Sequence, residues 1–172
     1  MMKYVYLTTG TADFLQKIAE KFKKENITLF FGSDHALLFH ETNGKTVFQM
    51  PRKYEILEST GSVPVKGYAL FHYIPVRDED SPVFEHELSK RPRRLDNADE
   101  FLAARILRPM KNHTYLIITF WKSKEAFKAW KDMEEFAFPD EKDRSIEVNK
   151  IKMYAGPSYL NEYYIGLNEI DE

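Results

Sequence analysis

The chain has 172 residues, 43% of them hydrophobic and 15% aromatic, with a formal net charge of −2. That composition supplies a core and excludes intrinsic disorder, while the near-neutral charge excludes a global attraction to nucleic acid. The lack of cysteine removes disulfides, thiolate metal sites and cysteine nucleophiles.

The start, "MMKYVYLTTG", has no apolar stretch of signal-peptide length, and the longest apolar run, near "TYLIITFW", is too short to span a bilayer. The expectation is a soluble, cytoplasmic protein with neither nucleic acid nor membrane as partner. "KYVYLTT" (3–9), rich in β-branched and aromatic residues, reads as a strand. Thr11 is placed to cap a helix, "ADFLQKIAEKFKK", whose Phe14, Ile18 and Phe22 recur every four residues beside Leu15 and Ala19. "ITLFF", "HALLFHE" and "TVFQM" read as three strands, the last two joined by the Asn43-Gly44 turn signal. "RKYEILES" (52–59) reads as a short helix, and "TGSVPVKG" (60–67) as a connection.

Beyond the connection the pattern restarts. "YALFHYIPV" (68–76) is a predicted strand; Asp80 or Ser81 caps a helix with Val83, Phe84 and Leu88 on its buried side. The basic run "KRPRR" (90–94), followed by Asp96, Asp99 and Glu100, reads as a solvated linker. "FLAARILRP" and "TYLIITFW" are strands, Ser123 caps "KEAFKAWKDMEEF", and "PSYLNEYYIGL" closes the chain with a strand. The fold expected is therefore α+β, with two ferredoxin-like β-α-β-β-α-β units over residues 1–62 and 66–172, the first degenerate. Two such units make a dimer within one chain, so a monomer with an internal pseudo-dimer and a homodimer are both open.

Motifs for chemistry are scarce. There is no nucleotide-phosphate loop, no GxSxG elbow and no HExxH, and the five histidines are scattered. The two tryptophans stand out. Trp121 ends a strand and reads as sheet packing, whereas Trp130 shares a helical stripe with Ala126, Phe127 and Met133. That stripe is either ordinary core or one wall of a pocket for a flat apolar ligand. His72 alternates with Leu70 and Ile74 and therefore points inward, as a hydrogen-bonded core histidine or as a functional one.

The stretches "HETNGKTVFQMPRKYEI", "RILRP" and "TYLIITFWKSKEAFKAW", in that order, resemble the two-part antibiotic biosynthesis monooxygenase (ABM) proteins of Gram-positive bacteria. Within that family the resemblance is to the haem-degrading monooxygenases of the HmoB type and to the staphylococcal regulator TRAP. It implies a dimeric ferredoxin-like architecture, with an ABM domain over 66–172. In the enzymatic members it also implies a haem pocket built from a helical tryptophan, an axial histidine ten residues later and an asparagine on the domain's first strand. The tryptophan position is Trp130, the asparagine position is His72, and the histidine position falls on Asp140.

With no histidine after His113, iron would take His72 from the opposite wall, or a phenolate from Tyr154, Tyr163 or Tyr164. Phe127 would line the ring and Arg91 would reach a propionate. The function implied is haem binding with opening of the ring by O2 and release of iron, as in iron acquisition. Haem is then both substrate and cofactor, and electrons come from an external donor such as a reductase. The alternatives are a catalytically degenerate TRAP-like regulator and a cofactor-free oxygenase with His72 as general base.

Overall fold

The computed structural model describes residues 2–90, 99–133 and 153–166. In chain order the elements are β1 (Tyr4–Gly10), α1 (Ala12–Lys21), β2 (Ile27–Phe31), β3 (Ala36–Thr42), β4 (Arg52–Thr60), β5 (Gly67–Pro75), α2 (Ser81–Lys90), β6 (Phe101–Pro109), β7 (Thr114–Trp121), α3 (Lys124–Met133) and β8 (Tyr159–Ile165). A single 3-10 turn, Asp78–Asp80, leads into α2. The strands close one antiparallel barrel in the order β1-β3-β2-β8-β5-β7-β6-β4. Exchanging β1–β4 for β5–β8 leaves that cyclic order unchanged, so each half supplies four strands in the same arrangement.

The predicted short helix at 52–59 is strand β4, and the predicted strand at 46–50 has no strand structure. Tyr54 and Ile56 are buried with Glu55 between them, a period of two. Pairing with β1 on one side and β6 on the other overrides the helix-forming Lys, Glu and Leu. Among the described residues the first half therefore carries one helix where the second carries two. Thr11 caps α1 by accepting from the Phe14 amide at 3.3 Å, and Ser123 caps α3 by accepting from the Ala126 amide at 3.1 Å, both as the sequence predicts.

The predicted buried faces need correction. Leu15 is the buried residue of α1 and Phe14 is 60% exposed, while on α2 Phe84 and Leu88 are buried and Val83 is exposed.

Alternation along each strand sorts side chains into an interior and an outer face. The interior holds Val5, Leu7, Phe30, Leu37, Phe39, Tyr54, Phe71, Tyr73, Ile118, Phe120 and Tyr163. Phe30 meets Phe39, Phe71 and Phe120 at ring-centre distances of 5.6, 5.8 and 6.0 Å, mixing stacked and edge-on geometry. Among the described residues, a charged pair crosses the interior. Arg105 on β6 donates to Glu41 on β3 at 2.5 Å and to the Thr60 and Ala104 carbonyls at 3.0 and 2.8 Å. Both side chains are buried, so the guanidinium fork satisfies the carboxylate in a medium where neither charge could stand alone.

Outside the barrel lie two separate apolar layers. One, between α1 and the outer faces of β1, β2 and β3, contains Tyr6, Leu15, Leu38 and Phe48. The other covers the outer faces of β5, β6 and β7 beneath α2 and α3. Among the described residues no helix is long and apolar enough to cross a membrane.

Candidate functional site

The second outer layer carries the aromatic residues the sequence singles out. Its floor is the outward row of β5, Tyr68, Leu70, His72 and Ile74, beside Tyr115, Ile117, Thr119 and Trp121 of β7. Phe84 and Leu88 of α2 and Ala126, Phe127 and Trp130 of α3 form the roof. The two indoles meet: Trp121 is fully buried with its ring centre 5.6 Å from that of Trp130, and its Nε1–H donates to Thr119 Oγ1 at 3.0 Å. Trp121 is therefore more than sheet packing. The alternation Trp121, Thr119, Ile117 already puts it on the outer face, and the immediate turn into α3 brings that helix over it.

Phe127 continues the layer, 5.5 Å from Trp121 and 6.0 Å from Tyr68, whose ring lies 5.5 Å from Tyr164. The Tyr68 phenol is buried, and burial followed by the Glu162 carboxylate pushes its pKa far above the usual phenol value. Lys124 ties the first turn of α3 to that Glu162 at 3.1 Å.

His72 lies in the same layer, 4% exposed, with Nδ1 buried and with Ile117 and Leu160 as its cross-strand neighbours. The inward pointing predicted from Leu70 and Ile74 holds in the sense that all three face the helices and not the barrel interior. Tyr68 pairs with Trp121 four residues before His72 on β5, so the imidazole is roughly 13 Å along the strand from the indole end. At the far end Phe84 meets Tyr115 at 4.7 Å and Tyr154 at 6.4 Å.

A polar network fastens α2 there. Arg108 on β6 binds Glu85 of α2 at 2.5 Å and Glu55 of β4 at 2.6 Å, and the Tyr115 hydroxyl donates to Glu85. Arg108 holds Glu85 below the usual carboxylate range, while burial, followed by Glu85, pushes the Tyr115 phenol up to about 12. At neutral pH the network is a carboxylate receiving a guanidinium and a neutral phenol.

The structure separates the three tyrosines considered as iron ligands. Tyr154 and Tyr164 border the helix-side layer, but Tyr163 points into the barrel interior, with the sheet between it and His72. Tyr163 is removed from any set that includes Trp130. Arg91 and Asp140 lie outside the described residues, as does the side chain of Met133. Among the described residues no group of three or more metal-ligating side chains converges. The donor chemistry of the layer is one buried imidazole among indoles, phenyl rings and phenols, which fits a flat aromatic ligand that needs at most one strong protein donor.

Comparison with known proteins agrees with this architecture. The family described as "Antibiotic biosynthesis monooxygenase" matches residues 68–137, the stretch from the start of β5 through α3. A curated relative from Listeria monocytogenes, named "Heme-degrading monooxygenase", is 32% identical over 76% of this chain and 78% of its own length. "Signal transduction protein TRAP" of Staphylococcus aureus is 28% identical over 78% of this chain and 81% of its own length. Among solved structures, one described as a major regulator of staphylococcal pathogenesis superposes with a TM-score of 0.81 at 25% identity, covering 94% of this chain and 98% of that one. With the barrel, its helix-covered outer layer and these relatives together, this chain belongs to the antibiotic biosynthesis monooxygenase family.

Proposed function

We propose that this chain binds haem in the layer between β5, β7 and α3, and opens the porphyrin ring with O2 and electrons from an external donor. One observation carries the reading: His72 is sealed, 4% exposed, in the same sheet–helix layer as Trp121, Phe127 and Trp130. An imidazole there is the layer's strongest candidate donor for iron, and the indole and phenyl rings supply faces against which a porphyrin packs. Haem, as substrate, would bring the iron that activates O2. The protein's part would be to orient the ring, exclude water and offer the His72 imidazole from the sheet side. Arg91 would pair with a propionate, and a reductase would be the electron-donating partner. The listerial relative's name supports this reading.

The experiment is a haem titration followed by visible absorbance, then a mild reductant in air. The expected result is a saturable Soret shift that bleaches after reduction, weakened in Trp130→Ala and changed in position in His72→Ala. A stable Soret band would reduce the proposal to a haem carrier. No shift would sink it.

Two observations favour a second reading, a catalytically degenerate regulator of the TRAP kind. Asp140 occupies the position where the resemblance implies the axial histidine, and the staphylococcal regulator superposes closely over nearly the whole chain. Under that reading haem leaves the absorbance spectrum unshifted and Trp130→Ala affects stability alone.

A further inference from the structure

The β2–β8 seam holds a hydrogen-bonded chain outside the haem layer. Asp34 Oδ1 lies 2.6 Å from His35 Nδ1, and His35 Nε2 lies 2.8 Å from the Tyr163 hydroxyl. The chain runs from solvent to core: side-chain exposure is 84% at Asp34 and 36% at His35, and Tyr163 is 1% exposed in the barrel interior. The close approach is built in. A Cβ at Gly32 would stand 2.8 Å from the His35 carbonyl oxygen and 3.1 Å from the Tyr163 ring, so only glycine lets the hairpin lie this near.

In the neutral tautomer that carries its proton on Nδ1, the two ring nitrogens have opposite roles: Nδ1–H donates to the Asp34 carboxylate, and Nε2 accepts from the Tyr163 phenol. The His35 contact holds Asp34 below the usual carboxylate range, and burial raises the Tyr163 phenol. Loss of one electron makes a phenol a strong acid, and its proton then has a base already in contact.

We propose that Tyr163 is a redox-active tyrosine whose proton passes to His35 as its electron leaves. In the step a one-electron oxidant takes the electron, the Tyr163 O–H bond breaks, and the proton forms a bond to His35 Nε2. A neutral phenoxyl and an imidazolium ion-paired with Asp34 result, and one-electron reduction reverses every change. The purpose rests on the haem reading. Phe71, 4.7 Å from the Tyr163 ring, precedes His72 on β5, so an oxidising equivalent escaping oxygen chemistry in the outer layer has a nearby trap across the sheet.

The test needs no haem. The protein is oxidised by flash-quench with tris(bipyridine)ruthenium, and the transient absorbance of the tyrosyl radical is followed. Wild type is expected to show a component that is absent in Tyr163→Phe. In His35→Gln the formation rate of that component falls about a hundredfold, the low end of what a positioned base contributes. The other ionisable or charged groups facing the pair are Asp34, Arg52 and the Tyr73 phenol. Circular dichroism checks that each variant folds, and exposed Asp34→Asn, expected to slow the step severalfold, serves if His35→Gln does not fold.

Equal radical yield in wild type and Tyr163→Phe, or an unchanged rate in the histidine and aspartate variants, overturns the proposal. Such a failure leaves the haem titration untouched. A failed titration removes the purpose proposed for Tyr163 and not its chemistry.

Discussion

The two outer layers of the barrel are built on equivalent strands, yet they differ in what they contain. Beneath α1 the polar residue of the layer, His40, has its Nδ1 2.8 Å from Thr46 Oγ1, and the segment between β3 and β4 folds back to bring Phe48 within 5.6 Å of the imidazole. Beneath α2 and α3 a whole second helix adds Phe127 and Trp130 above Trp121, and the buried imidazole, His72, lies on an apolar row. Equivalent strand order thus leaves function unassigned. The connection between the third and fourth strands of each half, helix in one and short loop in the other, decides what covers the sheet: Phe127 and Trp130 in one layer, Phe48 in the other.

Mutations test how separate these layers are. Trp121→Ala should have the largest effect, about 3–5 kcal/mol for a fully buried indole; Leu15→Ala in the other layer should cost about 3 kcal/mol. Chemical denaturation should show one transition in both variants, because both layers rest on one closed sheet; two transitions would mean the halves unfold independently. Glu41→Ala, which strips the interior pair common to both halves, should cost about 3 kcal/mol. That is the low end for an orphaned buried charge, since Arg105 keeps the Thr60 and Ala104 carbonyls.

Thr46→Val, which removes the His40 partner, should cost about 1 kcal/mol by the same measurement. The smallest effect is in pH. Burial lowers the His40 pKa, so the unfolded chain binds the proton more readily and stability falls as pH drops below about 6.5, the unfolded histidine value. Asp34 and Glu85, both depressed, withdraw their contributions only at lower pH, below the unfolded carboxylate values. His40→Gln should flatten the thermal unfolding midpoint between pH 6.5 and 5 and leave the acid limb unchanged.

Much of the second half was legible because its signals are local. Alternation placed His72 with Leu70 and Ile74, and helical spacing placed Trp130 beside Phe127. The first half misled where local preference and tertiary pairing disagree: "RKYEILES" is rich in helix formers, yet it is the strand that joins β1 to β6. No local pattern could reveal the Arg105–Glu41 pair or the His35–Tyr163 contact, whose partners are 64 and 128 residues apart. The side of β8 on which Tyr163 faces follows from its register against β5, where Tyr163 pairs with interior-facing Ala69.

Ring closure also has a consequence for the order of assembly. Strand β2 meets β8 at Phe31 and Tyr164, while β4 meets β6 from Tyr54–Pro109 to Thr60–Ala104. A ribosome releasing this chain from its N-terminus therefore exposes β2 with one side unpaired until β8 has followed it out. Contacts that distant in sequence form slowly, because a long loop must close before they repay its entropy. Until β8 emerges, the nascent first half presents an open strand edge of the kind that invites pairing with another chain.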